Sequence, residues 1–186
     1  MAVHSMSARL IPLASVVVIA LVGCQAPPAS IPAPSEPATP EWLSVDLVDA
    51  RSGEAFALDD FDGQVVLVET MATWCPTCIR QAQEIEAMHT ALGNPQDLVS
   101  VSLDVDLNED QELLSEYVDE FGFEWRFAVA PRAVARALGN LYSAEYLNPP
   151  LSPMLIVDRN GQVHTVDYGL KNAETLQALV EPYLSP

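Results

Sequence analysis

Two cysteines three residues apart, set between an apolar run and a helical pattern, constrain this chain more than any other feature. Val65–Val68 is an apolar run rich in β-branched residues, which is typical of a central strand buried on both faces. The segment Cys75-Pro76-Thr77-Cys78, which contains the cysteine pair, follows this run. Apolar residues then recur at helical spacing as far as Leu92. The sequence therefore predicts a buried strand, a short turn and a helix that begins at the cysteine pair.

This placement gives the two cysteines different chemistry. Unpaired N–H groups and partial positive charge at a helix amino terminus stabilise a thiolate on the first cysteine. Such a thiolate attacks a disulfide, and the second cysteine, deeper in the helix, then resolves the mixed intermediate. We therefore expect an exposed Cys75 to attack and Cys78 to resolve, with the two forming a redox-active disulfide.

A zinc site is the main alternative for a lone Cys-x-x-Cys pair, which is also half of many zinc sites. The third cysteine, Cys24, is far away near the amino terminus, and His89 and His164 have no ligand-like spacing. Thiol–disulfide exchange is therefore favoured, and no metal is expected.

A short acidic segment resembles the start of a calcium-binding loop. Asp104, Asp106 and Asn108 have the spacing of its first ligands. However, Glu109 occupies the position of the loop glycine, and Ser115 that of the bidentate glutamate. We expect a solvated loop here, with Asn108 capping the helix that follows.

The remaining elements follow from apolar periodicity and turn residues. Strands alternate with helices, and a hairpin across Arg159-Asn160-Gly161 precedes a last helix, so we expect an α/β fold with a mixed sheet and helices on both faces. Residues 139–152 are expected to be irregular. The other expected strands are 42–48, 55–58, 98–103, 123–129, 154–157 and 162–166, and the other helices are 108–121, 131–138 and 172–183.

The segment Val65–Cys78, which reads VVLVETMATWCPTC, resembles the active-site strand and helix start of thioredoxins. It is more similar still to the membrane-tethered TlpA/ResA-like thiol–disulfide oxidoreductases, over about residues 42–184. The resemblance implies a thioredoxin-like fold with an N-terminal β-hairpin and a mid-domain insertion. It also implies dithiol–disulfide exchange with protein substrates and no bound cofactor.

The resemblance also implies roles for single residues. Cys75 and Cys78 match the attacking and resolving cysteines of the family. Trp74 matches the aromatic residue that flanks the disulfide and lines the substrate site. Pro76 and Thr77 fill the variable pair that tunes the redox potential, and they belong to the same substrate-facing surface.

A proline late in the domain is the last element of the resemblance. Pro153 matches the family's cis-proline, which lies beside the disulfide and presents its backbone to the substrate. Pro153 lies five residues before Asp158, where the family commonly has six, so Pro150 is the alternative.

Glu69 is the candidate for proton transfer. It stands six residues before Cys75, where thioredoxins place a buried aspartate. Family members often carry an acid and a proline after the second cysteine, but this chain has Gln81 and Gln83 there. We expect Glu69 to lie beneath the disulfide with a raised pKa and to accept the proton of Cys78. The alternative is that the strand has already ended and that Glu69 points to water.

The amino terminus has the pattern of an export signal with a lipid-attachment site. Leu10–Val22 is a mainly apolar run, long enough for a signal-peptide core but too short to cross a bilayer as a helix. Leu21-Val22-Gly23-Cys24 resembles the bacterial lipobox, which implies lipidation of Cys24 and cleavage just before it. A plain secretory signal is the alternative.

A linker separates this signal from the domain. Residues 25–40 include six prolines and four alanines, a composition typical of a semi-rigid spacer. Its reach is roughly 50 Å at about 3.1 Å per residue. We therefore expect a lipoprotein signal peptide at 1–23, a lipidated linker at 24–40 and a thioredoxin-like domain at 41–186.

The charge excludes one class of partner. The chain has 26 acidic and 8 basic side chains, whereas nucleic-acid binding requires clustered Lys and Arg. The resemblances to the lipobox and to the TlpA/ResA-like proteins imply a cell-envelope enzyme, lipid-anchored on the extracytoplasmic side. We expect it to reduce disulfides of other exported proteins, with oxidation as the less favoured direction. The family resemblance implies that a membrane thiol-electron transporter supplies the electrons.

A binding function is possible on the same scaffold. A copper chaperone or redox-sensing binding module is the alternative, because His164 lies in the late hairpin where copper chaperones of this fold carry a histidine. Those proteins usually space their cysteines more widely. A peroxidase is not expected, because Ala72 occupies the position where peroxiredoxins have a threonine.

Overall fold

The computed structural model describes Met1 and residues 39–184. The predicted signal peptide beyond Met1, the predicted lipidation site Cys24 and the linker up to residue 38 lie outside the described residues. Among the residues that are described, no helix combines the length and the apolar composition needed to cross a bilayer.

Seven strands and four α-helices make up the described domain, in the alternating order that the sequence predicts. The strands are β1 (Leu47–Val48), β2 (Ala55–Phe56), β3 (Val65–Met71), β4 (Leu98–Asp104), β5 (Arg126–Val129), β6 (Met154–Val157) and β7 (Val163–Val166). The helices are α1 (Pro76–Leu92), α2 (Gln111–Phe121), α3 (Arg132–Leu141) and α4 (Ala173–Leu184).

The main sheet has the strand order β5-β4-β3-β6-β7. Its central strand, β3, runs parallel to β4 and antiparallel to β6, so the sheet is mixed as predicted. β1 and β2 form a separate two-stranded hairpin with Leu47 opposite Phe56. The central position of β3 explains why all seven of its residues are buried.

Helices cover both faces of the sheet. Val65 and Leu67 pack with residues of α1 and α4, whereas Val66 and Val68 pack with residues of α3. This alternation follows from the period of two along a strand. The predicted fold class is therefore confirmed.

The helix ends follow from local sequence. Gly93 and Gly122, with φ of 75° and 72°, take the left-handed conformation that ends α1 and α2. The amino terminus of α2 differs from the prediction, because Asp110 and not Asn108 is its cap. The Asp110 side chain accepts a hydrogen bond from the Leu113 N–H at 3.0 Å.

Two segments differ from the prediction. Trp42 and Leu43 lie in a 3₁₀ turn, Glu41–Ser44, because this turn buries both side chains in the core, which an exposed edge strand would not. The stretch expected to be irregular contains two more 3₁₀ turns, Ala144–Leu147 and Pro149–Leu151. The second of these turns brings the chain to the cysteine pair.

Candidate active site

The carboxyl end of β3 positions the cysteine pair at the start of α1. Cys75 caps α1, and its sulfur accepts a hydrogen bond from the Cys78 backbone N–H at 3.2 Å. The two residues form a disulfide with their Cα atoms 5.3 Å apart. The backbone N–H of Cys78, at the helix amino terminus, therefore points at Cys75 Sγ, where it can stabilise a thiolate.

Neither cysteine is exposed, and the expectation of an exposed Cys75 is wrong. The exposed fractions of Cys75 and Cys78 are 0% and 1%. Both pack in an apolar cluster that includes Met71 and Ala72, and the Pro149 carbonyl oxygen lies 3.6 Å from Cys78 Sγ. A substrate must therefore displace neighbouring groups to reach the sulfur atoms.

Trp74, Pro76 and Thr77 surround the pair on its outer side. Trp74 is 56% exposed, and its indole N–H donates a hydrogen bond to Asp106 at 2.7 Å. Pro76 is exposed and Thr77 half-buried in the first turn of α1, where the missing N–H of proline has no structural cost. Trp74 and Pro149 line a cavity of about 280 Å³ beside the disulfide.

Pro153 does not have the predicted conformation. Across residues 39–184 every peptide bond is trans, including those before Pro153 and Pro150. The Pro153 carbonyl accepts a hydrogen bond from the Thr70 N–H at 3.1 Å, which continues the pairing of β6 with β3. The turn into β6 is made by Ser152, which has φ of 47°. Pro149 is the proline whose backbone faces the disulfide.

Glu69 lies inside β3 with an exposed fraction of 1%, so the alternative of a solvent-facing residue is wrong. Burial raises its pKa to about 8, although the Ser102 hydroxyl and the Lys171 charge act in the opposite direction. Ser102 donates to Glu69 Oε2 at 3.3 Å and accepts from the Trp125 indole N–H at 3.0 Å. Glu69 is thus mostly protonated at pH 7 and can donate a proton, and its ionised form, which becomes populated as the pH approaches 8, can accept one.

Gln81 and Lys171 form a contact that the sequence did not reveal. The Gln81 amide donates to the Lys171 carbonyl at 3.0 Å and accepts from the Lys171 N–H at 2.8 Å. Gln81 thereby holds the loop before α4 against α1, and it brings the ammonium group of the only lysine close enough to act on Glu69.

A second buried carboxyl group was also missed. Asp104 ends β4 and is fully buried, so the expectation of a solvated loop is wrong at this position. Burial and the neighbouring Glu109 raise its pKa to about 8. Glu109 in turn accepts hydrogen bonds from the Thr73 N–H, at 2.8 Å, and from the Thr73 hydroxyl. This carboxyl pair therefore anchors the loop that carries Trp74.

The described residues contain no group of three or more His, Cys, Asp or Glu side chains arranged to hold a metal ion. A larger cavity, of about 460 Å³, is lined by His89 and Ser100 and by neither cysteine. The site therefore consists of a disulfide at the start of α1 and a buried carboxyl group in β3, the strand that leads to it.

Comparison with solved structures supports the thioredoxin-like fold. DsbF of MTB has a TM-score of 0.61 at 17% identity, and the match covers 78% of this chain and 99% of that one. A thiol:disulfide interchange protein of Chlorobium tepidum TLS has a TM-score of 0.57 at 18% identity, covering 76% and 93%. The lipoprotein thioredoxin Etrx1 of Streptococcus pneumoniae strain TIGR4 has a TM-score of 0.56 at 15% identity, covering 74% and 98%.

Sequence comparison identifies the family. No curated protein matches the chain closely enough to count as a relative. The family model described as Redoxin matches residues 21–180, which is most of the chain. With its cysteine pair at the start of α1, this chain is a thioredoxin-like oxidoreductase, and it belongs to the redoxin family.

Proposed function

We propose that this protein is an exported, membrane-tethered enzyme that reduces disulfides in other exported proteins through Cys75 and Cys78. The observation that carries the proposal is the Cys78 N–H aimed at Cys75 Sγ, at 3.2 Å, at the amino terminus of α1. This arrangement stabilises negative charge on Cys75 when the pair is reduced. Cys75 is therefore the attacking thiolate.

The reaction proceeds in two exchange steps. The Cys75 thiolate attacks one sulfur of the substrate disulfide, and the other substrate sulfur leaves as a thiolate. Cys78 then loses its proton and attacks Cys75 Sγ, which releases the substrate as a dithiol and leaves the Cys75–Cys78 disulfide. Two electrons have passed to the substrate, and a membrane thiol-electron transporter returns two electrons to the enzyme.

Glu69 handles the proton of Cys78. In the resolving step its carboxylate accepts that proton. When the disulfide is reduced again, protonated Glu69 returns it to the Cys78 thiolate. A pKa of about 8 allows both forms to be populated near neutral pH. Burial in β3 keeps this carboxyl group away from bulk water, which would otherwise exchange the proton directly.

The tether rests on the lipobox-like residues before Cys24 and on the proline-rich linker behind it. Etrx1, one of the structurally similar proteins, is described as an exposed lipoprotein thioredoxin, which supports the same arrangement for this chain. Lipidation at Cys24 would hold the domain within reach of a membrane electron donor.

Copper binding is the competing function, and the position of His164 disfavours it. His164 lies opposite Ile156, which in turn lies opposite Leu67, four residues before the end of β3. The cysteines lie beyond that end. The His164 ring also hydrogen-bonds to Asp158 at 2.7 Å. The histidine is therefore placed along the sheet away from the cysteine pair and is already partnered.

The proposal is tested by insulin reduction together with copper titration of the reduced protein. We expect catalysed precipitation of the insulin B chain and a strongly reducing potential for the Cys75–Cys78 couple. Stoichiometric copper binding without insulin reduction would support the copper-chaperone alternative. A mildly oxidising potential would indicate an oxidase or isomerase and would contradict the proposed direction.

A further inference from the structure

We propose that a groove running from the disulfide to α3 binds the substrate as an extended segment, and that Arg132 and Arg136 select a carboxylate close to the substrate cysteine. This proposal rests on the proposed function, because it specifies the substrates of the same cysteine pair. We call the surface the α3 groove and define it by Trp74, Leu107 and Leu147 together with the outward face of α3.

The α3 groove consists of two adjoining cavities. The first, of about 280 Å³, is lined by Trp74, which precedes Cys75, and by Pro149, whose carbonyl oxygen lies 3.6 Å from Cys78 Sγ. It therefore lies beside the disulfide, although neither cysteine lines it. The second, of about 380 Å³, follows α3. Leu107 and Leu147 line both cavities and form the passage from one to the other. A chain whose cysteine reaches Cys75 can therefore continue along α3.

The groove is open to solvent and exposes large apolar side chains, while Asp106 and Asn108 are the polar side chains of its first cavity. Leu107 and Leu147 are 59% and 41% exposed, and Trp74 adds a third large exposed side chain. Neighbouring exposed apolar side chains that line a groove are typical of a binding site for another chain. Because these side chains adjoin the redox centre, the partner they fit is the substrate itself.

The sequence of α3 makes room for that partner. Ala135 and Gly139 line the second cavity on one side of α3, whereas Val134 and Leu138 are buried in the core on the other. A Cβ atom added to Gly139 would lie 3.2 Å from Leu147 Cδ1. The missing side chain therefore allows Leu147 to lie against the helix and leaves the groove open beside it.

Two arginines line the groove in a strongly acidic protein. Arg132 and Arg136 are one helical turn apart, and among residues 39–184 neither forms an ion pair, unlike Arg126 and Arg159. No carboxylate lines the second cavity. The chain carries a net charge of −18, so a wholly acidic partner would be repelled. A substrate with a single acidic residue near its cysteine can pair with the two arginines without strong repulsion from the rest of the protein. Salt screens the repulsion by distant carboxylates beyond about 8 Å at physiological ionic strength.

The binding test uses pairs of labelled peptides in which serine replaces the cysteine, so that no exchange chemistry is involved. One peptide of each pair carries glutamate and the other lysine at the same position a few residues from the serine, with an apolar residue between. We expect the wild-type protein to bind the glutamate peptide roughly tenfold more tightly, as two partly exposed ion pairs would give. Fluorescence anisotropy measures both affinities.

Variants connect that preference to the groove. The double substitution Arg132→Glu and Arg136→Glu should reverse the preference and favour the lysine peptide. The matched control is Arg51→Glu, a charge reversal in the exposed turn between β1 and β2, which should leave the preference unchanged. Gly139→Ala should weaken the binding of both peptides by the same factor, because the added methyl group crowds Leu147, although alanine has the higher helix propensity.

The outcomes separate this proposal from the proposed function. Equal affinity of the wild-type protein for the two peptides, or an equal change in the Arg51→Glu control, would overturn the α3 groove. If the wild-type protein prefers the glutamate peptide but does not reduce the neutral hydroxyethyl disulfide, only the proposed enzymatic function would be overturned. With cysteine-containing disulfide peptides, kcat/KM should follow the same charge preference, and hydroxyethyl disulfide should react equally with the wild type and the Arg51→Glu control.

Discussion

Replacing Glu69 by glutamine should make the protein progressively more stable than the wild type as the pH rises. Glutamine keeps the shape of the side chain and removes its titration. In the folded protein, burial raises the pKa of Glu69 to about 8 from an ordinary value of 4.5. For an acid with a raised pKa, the unfolded chain ionises first. The stability of the wild type is therefore fully present below pH 4.5 and falls until the pH passes about 8.

The size of the effect follows from these two values. Proton linkage predicts that between about pH 6 and about pH 9 the wild type loses about 2 to 3 kcal/mol relative to Glu69→Gln. The complete loss, reached above the folded pKa, is about 5 kcal/mol. Because Glu69 is almost completely buried, solvent screening reduces this figure little. Asp104 titrates in both proteins, and its contribution cancels in the difference.

The assay is urea unfolding of both oxidised proteins across this pH range, with Glu116→Gln as the control. Glu116 is exposed on α2, so its replacement removes a carboxylate without removing a buried one. Stopped-flow measurement of the mixed disulfide adds the functional readout. Glu69→Gln should lose the increase in resolution rate near pH 8, while the first attack by Cys75 changes little.

Two results would refute the reasoning. Parallel stability curves for wild type and Glu69→Gln would mean that the carboxyl group is not titrating in a buried site. Equal resolution rates from about pH 6 to about pH 9 would mean that Glu69 does not accept the Cys78 proton, whatever its pKa.

Three further predictions concern the cysteines and the second carboxyl group. Cys75→Ser should abolish insulin reduction, whereas Cys78→Ser should accumulate a mixed disulfide detectable by mass spectrometry; the opposite pattern would reverse the two roles. Cys24→Ser should move the protein from the membrane to the soluble envelope fraction without changing exchange by the domain, and a wild type that is already soluble after export would contradict lipidation. Asp104→Asn should remove part of the stability loss near pH 8, because burial and Glu109 hold the pKa of Asp104 at about 8 and an amide stays neutral there. Urea unfolding measures that change, and an unchanged pH slope would contradict it.

The sequence predicted those parts of the domain whose structure depends on neighbours along the chain. As predicted, α1 begins at the cysteine pair and continues to Leu92, because proline in the first turn and Gly93 at the end define its bounds locally. The hairpin of β6 and β7 followed from its turn residues, and Val157 pairs with Val163 across that turn. Glu69 was identified through its spacing from the cysteines, and its burial follows from the central position of β3.

The parts that were missed depend on distant segments meeting. Helix periodicity predicted an exposed Cys75 at the start of a helix, but the turn Pro149–Leu151 packs against the pair, and its Pro149 is 71 residues beyond Cys78 along the chain. Asp104 looked solvated because Asp106 and Asn108 follow it. Its burial arises where the end of β4 meets the loop after β3, with the Val105 N–H bonded to the Met71 carbonyl at 3.0 Å. A local sequence pattern does not predict contacts between segments that are distant along the chain.

The two buried carboxyl groups should have different roles in the site, because their partners differ. Glu69 is hydrogen-bonded to Ser102, a core residue on the neighbouring strand, so its ionisation should change the supply of protons to Cys78 without moving a loop. Asp104 shares its environment with Glu109, which holds Thr73 and hence the loop of Trp74. Ionisation of Asp104 should therefore add a negative charge beside Glu109 and weaken that attachment. The first group should govern resolution by the second cysteine, and the second group should govern access of the substrate to the first.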